Sequence, residues 1–232
     1  ISEVIKNAFE QTWNNKEIII IDDFSNDNSY EEIKKSKNFD EIKYLRNSSN
    51  MGPAYSRNQV LKNSNGDFIC FMDDDDFSDK SRIVCQINSI YDEGYPFRKE
   101  IISICGVNRK YSSGYIKKMR PIGSIGKAPQ GDSYINYVLF NQKEKDIDYG
   151  FGMPTCAMLL TKECFQKVGL FDENLRRVED LDITIRFAKR NFLFIGLDEF
   201  LVIQNSTSGF DKTPLVNLKS EIMLIKKNKE YL

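Results

Sequence analysis

The sequence predicts an α/β fold of three layers, Rossmann-like in outline, with helices on both sides of a mainly parallel central sheet. Three observations predict it. Helix and strand patterns alternate as α-β-α-β-α-β-α through Tyr91. Two of the strands, EIIII (17–21) and DFICFM (67–72), are continuous apolar runs of the kind that is buried on both faces. Both runs end in acid, Asp22-Asp23 and Asp73-Asp74-Asp75-Asp76. Those carboxylates fall at the carboxyl edge of the sheet, where open α/β folds bind ligands.

Each element has a local reason. Ser2 can cap a first helix whose apolar positions Ile5, Ala8, Phe9 and Trp13 keep helical spacing. The EIIII strand follows, then a short helix around Tyr30 to Lys37 and a strand from Ile42 to Leu45. Gly52-Pro53 opens the next helix, with proline suited to its first turn, and the pattern runs to about Asn63. Asn65-Gly66 turns the chain into the second acid-ended strand, and a helix from about Lys80 to Tyr91 comes next. Beyond it, Ile101 to Lys110 reads as a strand and Tyr111 to Gly114 as a turn into another. Arg120 to Gly131 is a Gly/Pro-rich loop, Tyr134 to Asn141 a short helix and Thr155 to Thr161 a strand. Gly169 to Asp172 turns into the helix VEDLDITIRFAKR (178–190), with Leu181, Ile185 and Ala188 on one face. Phe192 to Gln204 holds one or two strands, and the tail from Leu215 to Leu232 is amphipathic through Leu218, Ile222 and Ile225. No internal repeat or low-complexity segment interrupts this order.

Composition narrows the chemistry. One domain is the default for 232 residues. With 33 basic and 34 acidic side chains, the net charge of −1 argues against a general binder of nucleic acid or of anionic membrane. There is no histidine, so Ser-His-Asp and Cys-His units, zinc sites with histidine ligands and histidine pH switches are all excluded. Proton transfer near neutral pH would fall to carboxylates, Lys, Tyr, Cys or water. The five cysteines are widely spaced in apolar surroundings with no C-x-x-C pair, which reads as reduced, buried thiols of a cytosolic protein. No stretch approaches the roughly 20 apolar residues that span a bilayer.

Four consecutive aspartates at a buried strand end are costly unless a cation relieves them. A hard divalent ion, Mg²⁺ or Mn²⁺, does so through oxygen ligands while keeping places for waters and substrate phosphates. An EF-hand is disfavoured, because Asp73-x-Asp75-x-Phe77 breaks the D-x-D-x-D-G pattern. A solvated acidic turn is the plain alternative, and the second acidic strand end at Asp22-Asp23 weighs against it. For Glu179-Asp180 the plain alternative is a helix amino end, where the dipole favours acids, and that reading is compatible with a catalytic one.

Four segments in order resemble inverting family 2 glycosyltransferases of GT-A fold. EIIIIDDFSND is similar to their EIIVVDDGSTD strand and turn, and NMGPAYSRNQVL to their N-x-G-x-x-x-A-R-N helix. NGDFICFMDDDD resembles the strand that carries their D-x-D motif. VGLFDENLRRVEDLDITIRFAKR resembles their G-x-F-D-E…E-D-x-D…R segment. The resemblance implies that Asp23 contacts the nucleotide base, with Asp22 in its neighbourhood. It makes Asp73 and Asp75 the D-x-D pair, Asp75 the direct metal ligand and Asp73 close to ribose or metal, with Asp74 between them in the nucleotide-sugar site. Asp180 of the Glu179-Asp180 pair would be the catalytic base. Arg57 would serve the donor phosphates or the structure, and Asp182 would support a neighbouring site residue or contact the acceptor; separately, the i, i+4 spacing of Asp182 and Arg186 reads as a surface pair. Phe24 stands where the family often has Gly, Asp74 where it often has Ser, and Ser56 replaces Ala.

The implied protein is one GT-A domain over 1–232, with a nucleotide-sugar half (1–100) and an acceptor half (101–232). The loops 112–131 and 146–154 would shape the acceptor pocket. The implied activity is metal-dependent, inverting transfer of a single sugar, since the Q-x-x-R-W signature of processive synthases is lacking. The donor would be a nucleotide-sugar, UDP-linked by resemblance, and the acceptor a glycan or lipid-linked sugar. Family members begin with a strand of the type VSVIIPTYN, so a strand ahead of Ile1 is expected to complete the sheet. The abundance of Lys, Ile and Asn suits an AT-rich bacterial genome and a role in surface polysaccharide synthesis, in the cytoplasm or at the inner face of the membrane. Two rivals are a phospho-receiver signalling module, with Asp73 as acceptor, and a non-catalytic nucleotide-sugar binder. A nucleotidyltransferase would need a Gly-rich phosphate loop with a following Lys or Arg, which is not seen.

Overall fold

The computed structural model describes residues 1–206 and 213–232, and its main sheet is mixed, not mainly parallel. The amino-terminal alternation is present: α1 (Ser2–Phe9), β1 (Ile18–Asp22), α2 (Ser29–Lys34), β2 (Ile42–Arg46), α3 (Pro53–Asn63) and β3 (Phe68–Cys70). The first helix is shorter than its apolar spacing suggests. Ile1, not Ser2, takes the cap position. After Glu10 the chain leaves helical geometry because Thr12 N donates to Lys80 O (2.9 Å) and Gln11 Nε2 to Asp79 O (2.8 Å).

β1 and β2 form a parallel two-stranded sheet, in register from Ile18–Ile42 to Asp22–Arg46. Among the described residues no other strand joins it. Ile18 to Ile21 are half-buried. Ile18 and Ile20 pack with Ile5, Ile33 and Ile42 in a satellite core.

The main sheet joins β3 to β4 (Phe77–Ser78), β5 (Ile101–Lys110), β6 (Ile116–Met119), β7 (Met158–Thr161) and β8 (Leu193–Asn205). Its order is β3-β7-β5-β8-β4, with β6 also on β5. Only β5–β8 is parallel; the other pairings are antiparallel. An apolar run reports burial of both faces, and an antiparallel strand between helical layers has that as well, so strand direction was not readable locally. β8 is a single long strand with a register shift opposite Ile104 to Val107.

α4 (Arg82–Asp92) covers one face, placing Ile87 and Ile90 against Ile101 and Leu159. α3, α5 (Gly131–Phe140), α6 (Lys162–Val168) and α7 (Glu179–Lys189) cover the other. There Tyr134, Phe165, Ile183 and Phe187 pack on Ile102, Ile104 and Leu160. Full burial of each such side chain contributes about 1.5–3 kcal/mol. These are the three layers expected, although α6 was not anticipated.

The last helix, α8 (Pro214–Lys227), is capped by Thr213, whose hydroxyl accepts from Val216 N (3.4 Å). Its inward residues are Ser220 and Leu224, with Asn228 just beyond, while Leu218 and Ile222 are exposed. Of the apolar stripe read from the sequence, Leu218 and Ile222 thus point outward and Ile225 is half-buried. Polar contacts tie α8 to the rest of the fold: Lys227 reaches Asp172 and Asp182. No helix among the described residues is long and apolar enough to cross a membrane.

Candidate active site

The acidic turn leaves the carboxyl end of β3 and returns as β4. Asp76 N donates to Asp73 O (3.2 Å), closing a turn over Asp74 and Asp75. Beneath it lies Arg82, 1 % exposed. Its guanidinium donates to Phe71 O (3.3 Å), Ser78 Oγ (2.9 Å), Met158 O (3.3 Å) and Gln86 Oε1 (2.9 Å). One buried cation thus ties together the ends of β3, β4 and β7 under a run of four acids. Nothing in the local sequence pattern distinguishes this arginine from a surface one.

The turn and the lead-in to β7 bring ligand atoms of Asp73, Asp76 and Cys156 within 4.8 Å of one another. Asp76 Oδ1 accepts from Asn205 N (3.1 Å), whereas Asp76 Oδ2 is buried with no hydrogen-bond partner among the described residues. Burial first, then the charges of Asp73 and Asp75, push the Asp76 carboxyl up to about 7. Burial first, then the charges of Asp73 and Asp76, hold the Cys156 thiol well above its usual range, so it is protonated at neutral pH. An orphaned carboxylate oxygen beside a second carboxylate fits a hard divalent cation. The neutral thiol is the soft member of the set and suits such an ion poorly. Asp75 lies outside this group, its main-chain oxygen accepting from Asn205 Nδ2 (2.5 Å), and Asp74 is exposed on the turn.

Opposite the acidic turn, α7 begins after Val178, whose φ of 58° places a β-branched residue in the left-handed region. Such strain costs on the order of 1–3 kcal/mol and is held only where the surroundings over-determine it. Here it aims the first turn of α7, Glu179 and Asp180, at the cleft. Glu179 is buried and accepts from Arg57 Nη1 at 2.5 Å, while Arg57 Nη2 lies 3.4 Å from Asp73 Oδ1. Arg57 therefore bridges the two acidic segments. It sits over the Phe171 ring at 5.8 Å, and its neighbour Asn58 exchanges hydrogen bonds with Phe171 N and O (2.9 and 3.0 Å). The R-N pair of α3 thus pins the turn before α7 into place. Desolvation, then the Glu179 charge, push the Asp180 carboxyl up to about 6, and Arg57 pulls it the other way.

Asp182 faces away from this centre. It is 1 % exposed and pairs with Arg186 (2.9 Å) and Lys227 (2.7 Å), anchoring α8. The Arg186 pair forms as the spacing predicts, yet it is largely buried and not a surface pair. An acceptor contact from Asp182 is incompatible with that burial.

Asp22 and Asp23 are engaged by the protein itself. Asp22 accepts from Ser25 N and Tyr44 Oη (both 2.7 Å), with Arg46 at 3.5 Å. Burial opposes its ionisation, but those donors and the Arg46 charge hold the carboxyl below its usual range. Asp23 accepts from Asn47 Nδ2 (2.8 Å), Met51 N (2.8 Å) and Gly52 N (2.7 Å). It fastens the loop that leads into α3, where Gly52 takes a φ of 90°. Sequence reasoning picked out the acids. It missed Arg82, Asn205 and Cys156, which arrive from α4, β8 and the segment before β7 and carry no local signal.

An acidic turn after a buried strand, facing acids at a helix amino end across the carboxyl edge of a three-layer α/β sheet, defines the GT-A class of fold. The chain belongs to glycosyl transferase family 2, whose family model matches residues 1–163. It is 33 % identical over 199 residues to an uncharacterized glycosyltransferase, RC0461, of Rickettsia conorii, covering 86 % of this chain and 29 % of that protein. It is 30 % identical over 198 residues to an uncharacterized glycosyltransferase of Haemophilus influenzae, covering 82 % and 58 %. It is 30 % identical over 205 residues to the amylovoran biosynthesis glycosyltransferase AmsB of Erwinia amylovora, covering 87 % and 64 %. The chain thus spans between about a quarter and two thirds of these relatives. Among solved structures, S. aureus TarS 1–349 in complex with UDP superposes with a TM-score of 0.62 at 19 % identity, covering 89 % of this chain and 56 % of that one. The same protein in complex with UDP-GlcNAc gives 0.63 at 19 %, covering 90 % and 55 %.

Proposed function

We propose that this chain moves a single sugar from a UDP-sugar to a hydroxyl of a glycan or lipid-linked acceptor, with inversion at the anomeric carbon. The observation that carries the reading is the Arg57 bridge, which sets the Glu179-Asp180 pair against Asp73 and leaves Asp180 with a carboxyl near 6. The acceptor oxygen attacks the anomeric carbon as the bond to the diphosphate breaks, and the electron pair leaves with the diphosphate. Asp180 takes the hydroxyl proton, a role that contributes typically about 10²- to 10⁴-fold. Its raised value matches the task, because a base titrating just below operating pH is deprotonated and still proton-hungry. Glu179, neutralised by Arg57, holds that arginine in place.

Asp73 and Asp76, with Asp75 from the same turn, would hold Mn²⁺ or Mg²⁺. When bound, such an ion supplies charge compensation for the departing diphosphate. Asp23 orders the 47–52 loop beside the nucleotide pocket, so its role there is positional, with Asp22 fixing the turn ahead of it. Residues 1–100 form the donor half and 101–232 the acceptor half of one domain. The name of AmsB, an amylovoran biosynthesis glycosyltransferase, supports a biosynthetic role, and the UDP-GlcNAc complex of TarS supports a UDP-sugar donor; we place the chain in bacterial surface polysaccharide synthesis, in the cytoplasm or at the inner face of the membrane.

The test is a thermal-shift screen of nucleotide-sugars with and without Mn²⁺, followed by detection of released nucleoside diphosphate. A ligand that binds only the folded state raises the melting temperature by mass action. UDP-sugars should do so in a Mn²⁺-dependent way. No shift with any nucleotide-sugar would overturn the reading.

A further inference from the structure

A cavity of about 310 Å³ opens on the acceptor half, lined by Lys118, Arg120, Lys143, Asp148, Tyr149 and Phe151, among others. Its size is at the lower end of small-ligand sites. We propose that it is an anion subsite that takes a phosphate group carried by the acceptor.

Three cations line it, and among the described residues none of them pairs with a carboxylate. Asp148, the acid in the wall, is turned to the main chain: its oxygens accept from Ile125 N (3.0 Å) and Gly150 N (3.2 Å). Aromatic faces hold the lysines without neutralising them. Lys118 lies 5.5 Å from the Phe200 ring and Lys143 5.3 Å from Tyr137, while Lys117 sits 4.4 Å over Phe151 at the rim. Lys118 and Lys143 are exposed and Arg120 is half-buried, so their charges are open to a ligand, and a phosphate accepts from Arg and Lys together.

The wall is built, not loose. Phe151 N donates to Arg120 O (2.7 Å), and a Cβ on Gly150 would lie 2.3 Å from Pro121 O. Buried Tyr149 anchors the loop through Ser133 Oγ (2.7 Å) and Glu144 N (3.1 Å). Glu144 and Asp146 are exposed on the same loop but do not line the cavity.

Its place in the fold ties it to the reaction. Lys118 and Arg120 lie on and just after β6, which pairs with the carboxyl-terminal half of β5. That half of β5 pairs with β8 as far as Asn205, the residue that holds Asp76. Cavity and acidic turn are thus connected to the same central strand, β5, the one through β6 and the other through β8. The outer rim carries exposed apolar side chains, Ile125 and Phe151, beside the charge. The phosphate could belong to a lipid carrier or to a phosphodiester within a glycan.

The inference rests on the glycosyltransferase reading, so the experiment fills the donor site first. Binding of farnesyl diphosphate and of glycerol 3-phosphate would be measured by calorimetry with UDP and Mn²⁺ saturating. The variants are Lys118→Ala/Arg120→Ala/Lys143→Ala together and the charge-conserving Arg120→Lys. Wild type should bind at least one probe, and the triple variant at least about tenfold more weakly at unchanged UDP affinity and unfolding midpoint. Arg120→Lys should fall between them. Tighter binding of the farnesyl compound assigns the phosphate to a lipid carrier, and equal binding assigns it to a glycan phosphodiester. Failure of both probes to bind, or equal affinity in wild type and triple variant, overturns the subsite. Failure of UDP itself to bind overturns the donor reading instead.

Discussion

Replacing Arg57 with alanine removes a side chain that reaches both acidic segments. Its guanidinium is 14 % exposed and meets Glu179, 9 % exposed, at 2.5 Å; Asp73, 37 % exposed, lies at 3.4 Å. Breaking a buried pair from one side costs about 3–5 kcal/mol, because the remaining charge stays buried and alone. The Asp73 arm is long and partly hydrated, so it adds under about 1 kcal/mol. Proton uptake by the crowded acids offsets part of the loss, leaving an expected cost of about 3 kcal/mol at pH 7.5. For a domain of this size that lowers the melting temperature by roughly 6–12 °C. A second readout is independent of stability. Arg57 holds the Asp180 carboxyl down, so its removal should move the midpoint of the pH–rate profile upward from about 6. Arg57→Lys keeps a charge but offers a compact ammonium where a fork is needed, and should fall between the two in both measurements. An alanine variant that melts within about 2 °C of wild type with an unmoved midpoint would refute the bridge.

Asp180→Asn should cut transfer by about 10²- to 10⁴-fold while UDP-sugar affinity, read by calorimetry, stays within about twofold. In wild type, transfer should rise about tenfold per pH unit below the Asp180 value near 6 and level off above it, as only the carboxylate accepts the proton. Asp76 carries the opposite stability sign from a paired acid. Its folded value near 7 lies above the ordinary 3.8, so its ionisation opposes folding above pH 7, and stability returns as the pH falls from 7 towards 4. Asp76→Asn should therefore stabilise the metal-free protein at pH 8 by on the order of 2 kcal/mol in urea melts, and should lose the stabilisation that Mn²⁺ gives wild type. Gly196→Ala should cost at least about 2 kcal/mol, since its Cβ would meet main-chain atoms that cannot swing away. Those atoms are Ile122 O at 2.1 Å and Ser124 N at 2.8 Å, and a shift in the urea midpoint reads the loss.

Much of the fold was legible where local chemistry leaves one choice. Gly52-Pro53 opened α3, the β-branched run gave β1, and Ile101 to Lys110 gave β5 to the residue. Ile185 and Ala188 face the core as their spacing requires. Legibility failed where a partner decides. The isoleucines of β1 are half-buried, and among the described residues β2 is the one strand beside them. α8 shows the same dependence: Leu218 and Ile222 are exposed, while Lys227 pairs with Asp172 and Asp182.

At the site the same division holds. The sequence by itself excluded histidine chemistry, since it holds no histidine, and it put the acidic candidates at strand ends and at a helix start. Hydropathy along the chain is enough for that, because a buried strand must surface before it can carry four charges. Only the tertiary structure decided which acids meet. It turned Asp182 inward to Arg186 and Lys227, occupied Asp22 and Asp23 with protein donors, and set Asp76 beside Asp73 with an unpartnered oxygen. It also brought in Arg82, Cys156 and Asn205 from segments distant in the chain. The physical reason is range. Backbone propensity and burial act over a few residues and are written locally. Charge pairing acts through space, between groups whose distance exists only once the sheet has formed.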